Sequence, residues 1–264
     1  MISEKARIIS NEKLAEGVFS TVFESRISEI AVPGQFVMVG TGSDSRLLRR
    51  PISICEADRD KGTVRLVYRI AGYGTEELSG ASAGDGFDML GPVGNGFSLE
   101  KAQDKKDILL VGGGIGAPPL LSLARALRRT GIGKDGITAV LGYRSMNAGL
   151  FLNEEFGKEV KVLLSTDDGS VGIRGTVMDA IRERDLRPDI IYACGPMVML
   201  KAIKEFAADN FIPAYISLEE RMACGMGVCL GCMVRTREKD AHSQVNNARV
   251  CTEGPVFEAM EVEI

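Results

Sequence analysis

DILLVGGGIGAPPLL, residues 107–121, is the stretch that decides what kind of fold this chain adopts. An apolar run ends in three glycines and gives way at once to a segment with helical periodicity, which reads as buried strand, tight turn and helix. Downstream the alternation repeats. GITAVLGYRS, VKVLLSTDD, DIIYACGP and IPAYISLE read as further strands, separated by the helical segments GTVMDAIRERDL and VMLKAIKEFAADN. Leu120, Leu123 and Leu127 recur at helical spacing, as do Leu200, Ile203 and Phe206. Strands alternating with helices predict a doubly wound parallel α/β sheet, with ligands expected at the carboxyl ends of its strands.

Upstream of residue 107 the period is different. ARIIS, GVFSTVFES, GQFVMVGTG, PISICEAD, TVRLVYRIA and DGFDMLGPVG are short alternating or apolar runs broken by glycine. They predict a small antiparallel β-barrel, interrupted by one helical turn at residues 74–78. After Leu218 glycine and cysteine dominate. The expected fold is therefore α+β and multi-domain: a β-barrel over residues 1–100, a doubly wound α/β domain over 101–216 and a small C-terminal segment over 217–264.

That last segment carries the most specific motif. Cys224, Cys229 and Cys232 stand in a Cys-x4-Cys-x2-Cys loop, and Cys251 follows eighteen residues later. This is the plant-type ferredoxin spacing for a [2Fe–2S] cluster. Gly225, Gly227 and Gly231 supply the dihedral freedom that a loop folding three thiolates around one cluster requires. Structural zinc is the rival, although zinc sites usually pair two short Cys hairpins; ordinary buried thiols are the bland reading.

Three other groups of residues point to nucleotides. Arg50, Pro51, Ile52 and Ser53 head what reads as the third barrel strand, Val67, Tyr68 and Arg69 lie on the next, and Gly74 and Thr75 open the short helix. An aromatic ring, two arginines and free helix N–H groups suit a flavin dinucleotide such as FAD, while Tyr68 alone would read as core packing. The turn Gly112, Gly114, Gly116, Ala117 fits G-x-G-x-x-A in the strand-to-helix context a nucleotide needs. A packing role remains open for it, because no acidic residue closes the next strand, which ends in Arg144 and Ser145. Cys194, Gly195 and Pro196 close another strand of the same sheet, setting a thiol beside the expected crevice, with a buried inert thiol as the alternative. A buried thiol is the favoured reading of Cys55. Asp167-Asp168 and Glu219-Glu220 read as hydrogen-bonding pairs, and His242 as an exposed loop residue that cannot by itself make a Rieske centre.

Composition limits the remaining choices. The chain has 264 residues, 45% of them hydrophobic, and a net charge of −4 without a basic block, which argues against nucleic acid as a main partner. The charged start MISEKARIISNEKLAEG lacks a signal-peptide core, and no run approaches a membrane span. A cytoplasmic protein is expected, its six cysteines serving metal or redox roles.

The order RPIS, VYR with GT, triple glycine, CGP, SLEERMACGMGVCLGC and CTEGPVF closely resembles the electron-transfer subunits of NAD-dependent dihydroorotate dehydrogenases, within the ferredoxin–NADP reductase superfamily. The resemblance runs the length of the chain and is most specific from Ser217 to Cys232 with Cys251. It implies FAD on Arg50, Pro51, Ile52, Ser53, Val67, Tyr68, Arg69, Gly74 and Thr75, and a [2Fe–2S] cluster on Cys224, Cys229, Cys232 and Cys251. Ser53 is expected at the reactive edge of the flavin, and NAD(H) at the strand ends of the parallel sheet, on Gly112, Gly114, Gly116, Gly195 and Pro196 with Cys194 beside the reacting rings. Isoleucine at position 52, where the wider superfamily commonly has tyrosine, leaves the flavin's stacking partner open. The implied partner is an FMN-containing catalytic subunit, in a heterotetramer of two of each, for pyrimidine biosynthesis. Met222, Met226, Val228 and Leu230 form the candidate contact face, with packing inside the chain as the alternative. The small subunit of an NADH-dependent ferredoxin–NADP oxidoreductase or sulfide dehydrogenase is similar, and a zinc-binding interaction module is the reading from another class.

Overall fold

The computed structural model describes residues 1–42, 47–148, 150–239 and 244–264; His242 lies outside them. The first element, β1 (Ile2–Ala15), buries Ala6 and Ile8 while Lys5 and Arg7 face out, the period-two pattern of a half-buried strand. It closes a six-stranded antiparallel barrel with β2 (Val18–Glu24), β3 (Phe36–Val39), β4 (Arg50–Asp58), β5 (Thr63–Arg69) and, after the helix α1 (Tyr73–Ser79), β6 (Gly86–Val93). Strand order is β1-β2-β5-β4-β3-β6. The strand headed by Arg50 is therefore the fourth in the chain, because the N-terminal runs supply two strands before β3, and the predicted single turn at 74–78 is a seven-residue helix.

The second sheet is built from β7 (Ile108–Gly113), α2 (Ala117–Arg129), β8 (Ile137–Tyr143), α3 (Asn153–Glu159), β9 (Lys161–Thr166), β10 (Ile173–Arg174), α4 (Val177–Glu183), β11 (Ile190–Cys194), α5 (Met197–Asp209) and β12 (Ala214–Ser217). Every residue of β7 is buried, as expected of a central parallel strand covered on both faces. Pro118 and Pro119 sit in the first turn of α2, where missing N–H groups cost little, and Leu120, Leu123, Ala124 and Leu127 bury its inner face. Strand order is β10-β9-β8-β7-β11-β12, so the chain reverses direction between β7 and β11. Gly112 pairs there with Cys194. The crevice at such a switch point is where open α/β sheets bind ligands.

The cysteine segment does not stand apart. Its hairpin of β13 (Met233–Arg235) and β14 (Asn247–Arg249) shares one hydrophobic core with Phe36 and Met38 of the barrel and Ile191 and Ile216 of the parallel sheet. Its last strand, β15 (Val256–Glu258), joins the large sheet antiparallel to β12. An ion-pair network ties barrel to sheet on the other side: Arg65 to Glu155 at 2.7 Å, Arg125 to Glu155 at 2.7 Å and Arg125 to Glu56 at 2.6 Å. Burial opposes the charge on Glu155, but Arg65 and Arg125 outweigh it and hold its carboxyl below the usual range. Among the described residues no helix is long and apolar enough to cross a membrane.

Candidate redox site

Two clefts meet at the seam between barrel and sheet. The smaller, about 320 Å³, is lined by Pro51, Ile52 and Ser53 from β4, by Val67, Tyr68 and Arg69 from β5, and by Thr75. Met222 and Pro255 close it from the two flanks of the cysteine segment. The larger, about 720 Å³, is lined by Gly114 and Gly116, by Gly195 and Pro196, and by Tyr143, Arg144 and Asp167 beyond them. Arg69, Ile115 and Glu219 line both clefts, so the two adjoin.

In the smaller cleft, Ser53 has no protein partner for its hydroxyl among the described residues, which leaves that group for a ligand. The Tyr68 hydroxyl turns away into the barrel, 3.2 Å from Thr21 Oγ1, and burial pushes it up to about 12; the ring is what the cleft presents. Arg50 lies across the start of α1, where a Cβ on Gly74 would come within 2.5 Å of its Nε and 3.0 Å of its Cζ. Its Nη1 donates to the Leu48 carbonyl. Arginine and helix start are thus brought together as the sequence predicted. Thr75 works differently: its Oγ1 accepts from the N–H of Ala71 and Gly72 and donates to the Gly72 carbonyl, so the side chain shapes the loop.

In the larger cleft the glycines divide their labour. Gly114 has φ +53° and nothing within 4 Å of where a Cβ would stand, which opens the turn to a ligand. A Cβ on Gly116 would overlap the Cys194 carbonyl, and one on Gly112 would crowd Leu141, so those two serve the close packing of β7, α2 and β11. Cys194 is 1% exposed, and burial pushes its thiol up to about 12 while Ser217 hydrogen-bonds it. It remains protonated at neutral pH, behind the cleft wall. Cys55 is likewise buried, its thiol pushed up to about 12 by desolvation.

Two acids read from the sequence only as members of hydrogen-bonding pairs line the clefts. Asp167 directly follows β9 and lines the larger cleft beside Arg144, after a strand later than the one where a Rossmann acid is sought. Glu219 stands at the junction of the clefts. Much of its surface opens onto that empty space, yet protein walls surround it, and desolvation raises its carboxyl above the ordinary value. Asp168 has the hydrogen-bonding role expected of it, accepting from the N–H and hydroxyl of Ser170.

The four thiols lie close enough to act on one another: Cys229 acts on Cys224, and Cys232 and Cys224 both act on Cys251. Burial opposes ionisation of Cys224, but N–H groups of Met226 (3.3 Å), Cys229 (3.4 Å) and Val228 outweigh it and bring the thiol down to about 6. Among the described residues no three of His, Cys, Asp or Glu converge on a point that one metal ion would occupy. Four neighbouring thiols, with backbone N–H groups aimed at the Cys224 sulfur, are a donor set that would fit a [2Fe–2S] cluster. Met226, Val228 and Leu230 are exposed around this loop. Met222 is half-buried, packing in part against the shared core and lining the smaller cleft.

Residues 219–263 match the family model described as the iron–sulfur cluster binding domain of dihydroorotate dehydrogenase B. The dihydroorotate dehydrogenase B (NAD(+)) electron transfer subunit of Streptococcus pneumoniae (strain ATCC BAA-255 / R6) is 41% identical, covering 96% of each chain. That of Geobacillus sp. (strain WCH70) is 40% identical over 99% of each. A solved structure of NADH-dependent reduced ferredoxin–NADP oxidoreductase, a protein of flavin-based electron bifurcation, is 31% identical with a TM-score of 0.86, covering 98% of this chain and 90% of the other. The ferredoxin NADP+ reductase of Neisseria gonorrhoeae shares the fold at 17% identity, with a TM-score of 0.67 over 78% of this chain and 91% of that one. By identity along nearly its whole length, the chain belongs to the family of dihydroorotate dehydrogenase B (NAD(+)) electron transfer subunits.

Proposed function

We propose that this chain relays electrons between NAD(H) and a catalytic dihydroorotate dehydrogenase subunit through FAD and a [2Fe–2S] cluster, in pyrimidine biosynthesis. The observation that carries the reading is the continuity of the three sites. The two clefts share Arg69, Ile115 and Glu219, and the smaller is walled by Met222 and Pro255, which flank the cysteines in the chain. When bound, FAD takes two electrons as hydride and returns them singly, which is the conversion a one-electron cluster requires.

The protein's own groups divide the work. Arg50 neutralises the FAD pyrophosphate over the start of α1, and Ser53 donates its free hydroxyl at the edge of the isoalloxazine. Pro51, Ile52, Val67, Tyr68 and Arg69 wall the ring, and Gly74 makes room for Arg50. Gly114, Gly195 and Pro196 border the nicotinamide nucleotide, with Gly112 and Gly116 shaping their turn, while Cys194 packs as a neutral thiol behind the reacting rings. Cys224, Cys229, Cys232 and Cys251 would hold the cluster. The functional division is residues 1–100 for FAD, 101–216 for NAD(H) and 217–264 for the cluster.

The partner carries FMN, and the assembly is a heterotetramer of two of each subunit. Six unpaired cysteines suit the reducing cytoplasm. A ferredoxin-linked acceptor is the second reading, favoured by the 31% identity to the ferredoxin–NADP oxidoreductase structure; the higher identity to the dihydroorotate family favours the first. The test is anaerobic purification with flavin, iron and EPR analysis. About two irons and one FAD per chain are expected, and Cys229→Ser should lose iron while keeping FAD. A Cys229→Ser protein with full iron and an unchanged EPR signal would sink the ligand assignment.

A further inference from the structure

The turn carrying Cys251 is joined to the loop carrying the other three cysteines through one side chain. β14 ends at Arg249 and the chain doubles back, so that the Arg249 carbonyl accepts the N–H of Thr252 (3.1 Å), Glu253 (2.8 Å) and Gly254 (3.2 Å). The Glu253 carboxylate returns to the same residue. It accepts from the Arg249 N–H at 2.5 Å, from Nε at 3.0 Å and from Nη2 at 2.7 Å. Nη1 of the same guanidinium donates to the Gly227 carbonyl at 3.3 Å.

Gly227 lies between Cys224 and Cys229, with φ +77°. A Cβ there would stand 2.9 Å from Thr252 Cγ2 and 3.4 Å from Arg249 Nη1, so the loop and the turn touch with no room to spare. The carbonyl of Gly227 is thus held by the guanidinium of the Cys251 turn. The Arg249–Glu253 pair is about a third exposed on each side chain, 37% and 35%. Such pairs add little to fold stability, so this geometry calls for another purpose. The carboxylate occupies the Nε/Nη2 edge of the guanidinium, and the opposite corner points its positive charge at the cysteine loop. Arginine's rigid fork can serve both directions at once, which a lysine ammonium cannot.

We infer that Arg249 is a positioning residue for the cluster: it clasps the cysteine loop at Gly227, and its charge, partly offset by Glu253, biases the site toward the reduced, more negative state. The inference rests on the [2Fe–2S] reading above. Its test uses the purified full-length holoprotein, with iron release to a chelator and the reduction potential measured by EPR-monitored titration. Outer partners of metal ligands are typically worth on the order of tenfold or more in metal retention. Arg249→Met should release iron about that much faster and shift the potential negative. Arg249→Lys, which keeps charge without the fork, should release iron as fast but stay nearer the parent's potential. Glu253→Gln should shift the potential positive, because it removes the opposing charge. A potential in Arg249→Met equal to the parent's overturns the inference, whatever iron release does, and so does iron retention in both Arg249 variants equal to the parent's. A parent protein without iron would instead overturn the cluster assignment beneath it.

Discussion

Gly74→Ala is a small substitution with a separable consequence. The new Cβ would stand 2.5 Å from Arg50 Nε and 3.0 Å from its Cζ, so the guanidinium must leave its place across α1. The fold should not suffer, since the displaced group is a flexible side chain and alanine in place of glycine favours a helix by about 0.5–1 kcal/mol. If Arg50 serves the FAD pyrophosphate there, removing its charge-assisted contact costs about 1.5–3 kcal/mol, or roughly tenfold to a hundredfold in FAD affinity. Arg50→Ala should lose all of that and Gly74→Ala most of it. The double variant should bind FAD within about 0.5 kcal/mol of Arg50→Ala, because both changes remove one interaction. Flavin fluorescence recovery on dilution measures the affinities, and thermal unfolding of the flavin-free proteins checks that Gly74→Ala is no less stable. Additive losses in the double variant, or a Gly74→Ala protein that retains FAD like the parent, would refute the assignment.

Gly114→Val should raise the NADH concentration that half-saturates flavin reduction in stopped flow by at least about tenfold, since a β-branched residue resists φ +53° and its side chain fills the open approach; an unaltered dependence moves the nucleotide elsewhere. Glu155→Gln should lower the melting temperature at pH 7. Because the Glu155 pKa is depressed in the folded state, its contribution is present above the ordinary carboxylate range and lost as pH falls through the folded value. The gap between parent and variant should therefore close on acidification, and a gap that widens at low pH contradicts the ion-pair account. Met226→Asp and Leu230→Asp should weaken coupling to the catalytic subunit while NADH-to-dye activity persists. Parent-like coupling in both would move the contact away from the exposed cysteine loop.

The sequence disclosed what is local. Alternation in ARIIS and TVRLVYR and the helical leucines of α2 follow from neighbours a few residues apart, and each is found where expected. What escaped depends on distant pairing. Nothing in VFE at 256–258 marks it as the edge of the parallel sheet, since that role exists only through β12. The short helix α3 lacks the length for a periodic signal, and its N-terminal neighbour Leu152 is in the left-handed region rather than a recognisable cap. Among site residues, Arg50, Ser53 and the glycine turn were legible because strand ends and turns carry their own chemistry. Glu219 and Arg249 were not, since their significance comes from what the fold sets beside them. Met222 reads like Met226 in the sequence, and only packing half-buries one and leaves the other exposed.

Electrons from dihydroorotate reach NAD through this chain only when the catalytic subunit delivers them. The direct measurement is NADH formation from dihydroorotate and NAD, followed at 340 nm, with the purified chain alone, the FMN-containing catalytic subunit alone, and the two mixed. Turnover should appear only in the mixture, and should vanish when Cys229→Ser replaces the parent chain. Turnover by this chain alone, or a mixture that forms complex yet never makes NADH, would contradict the account.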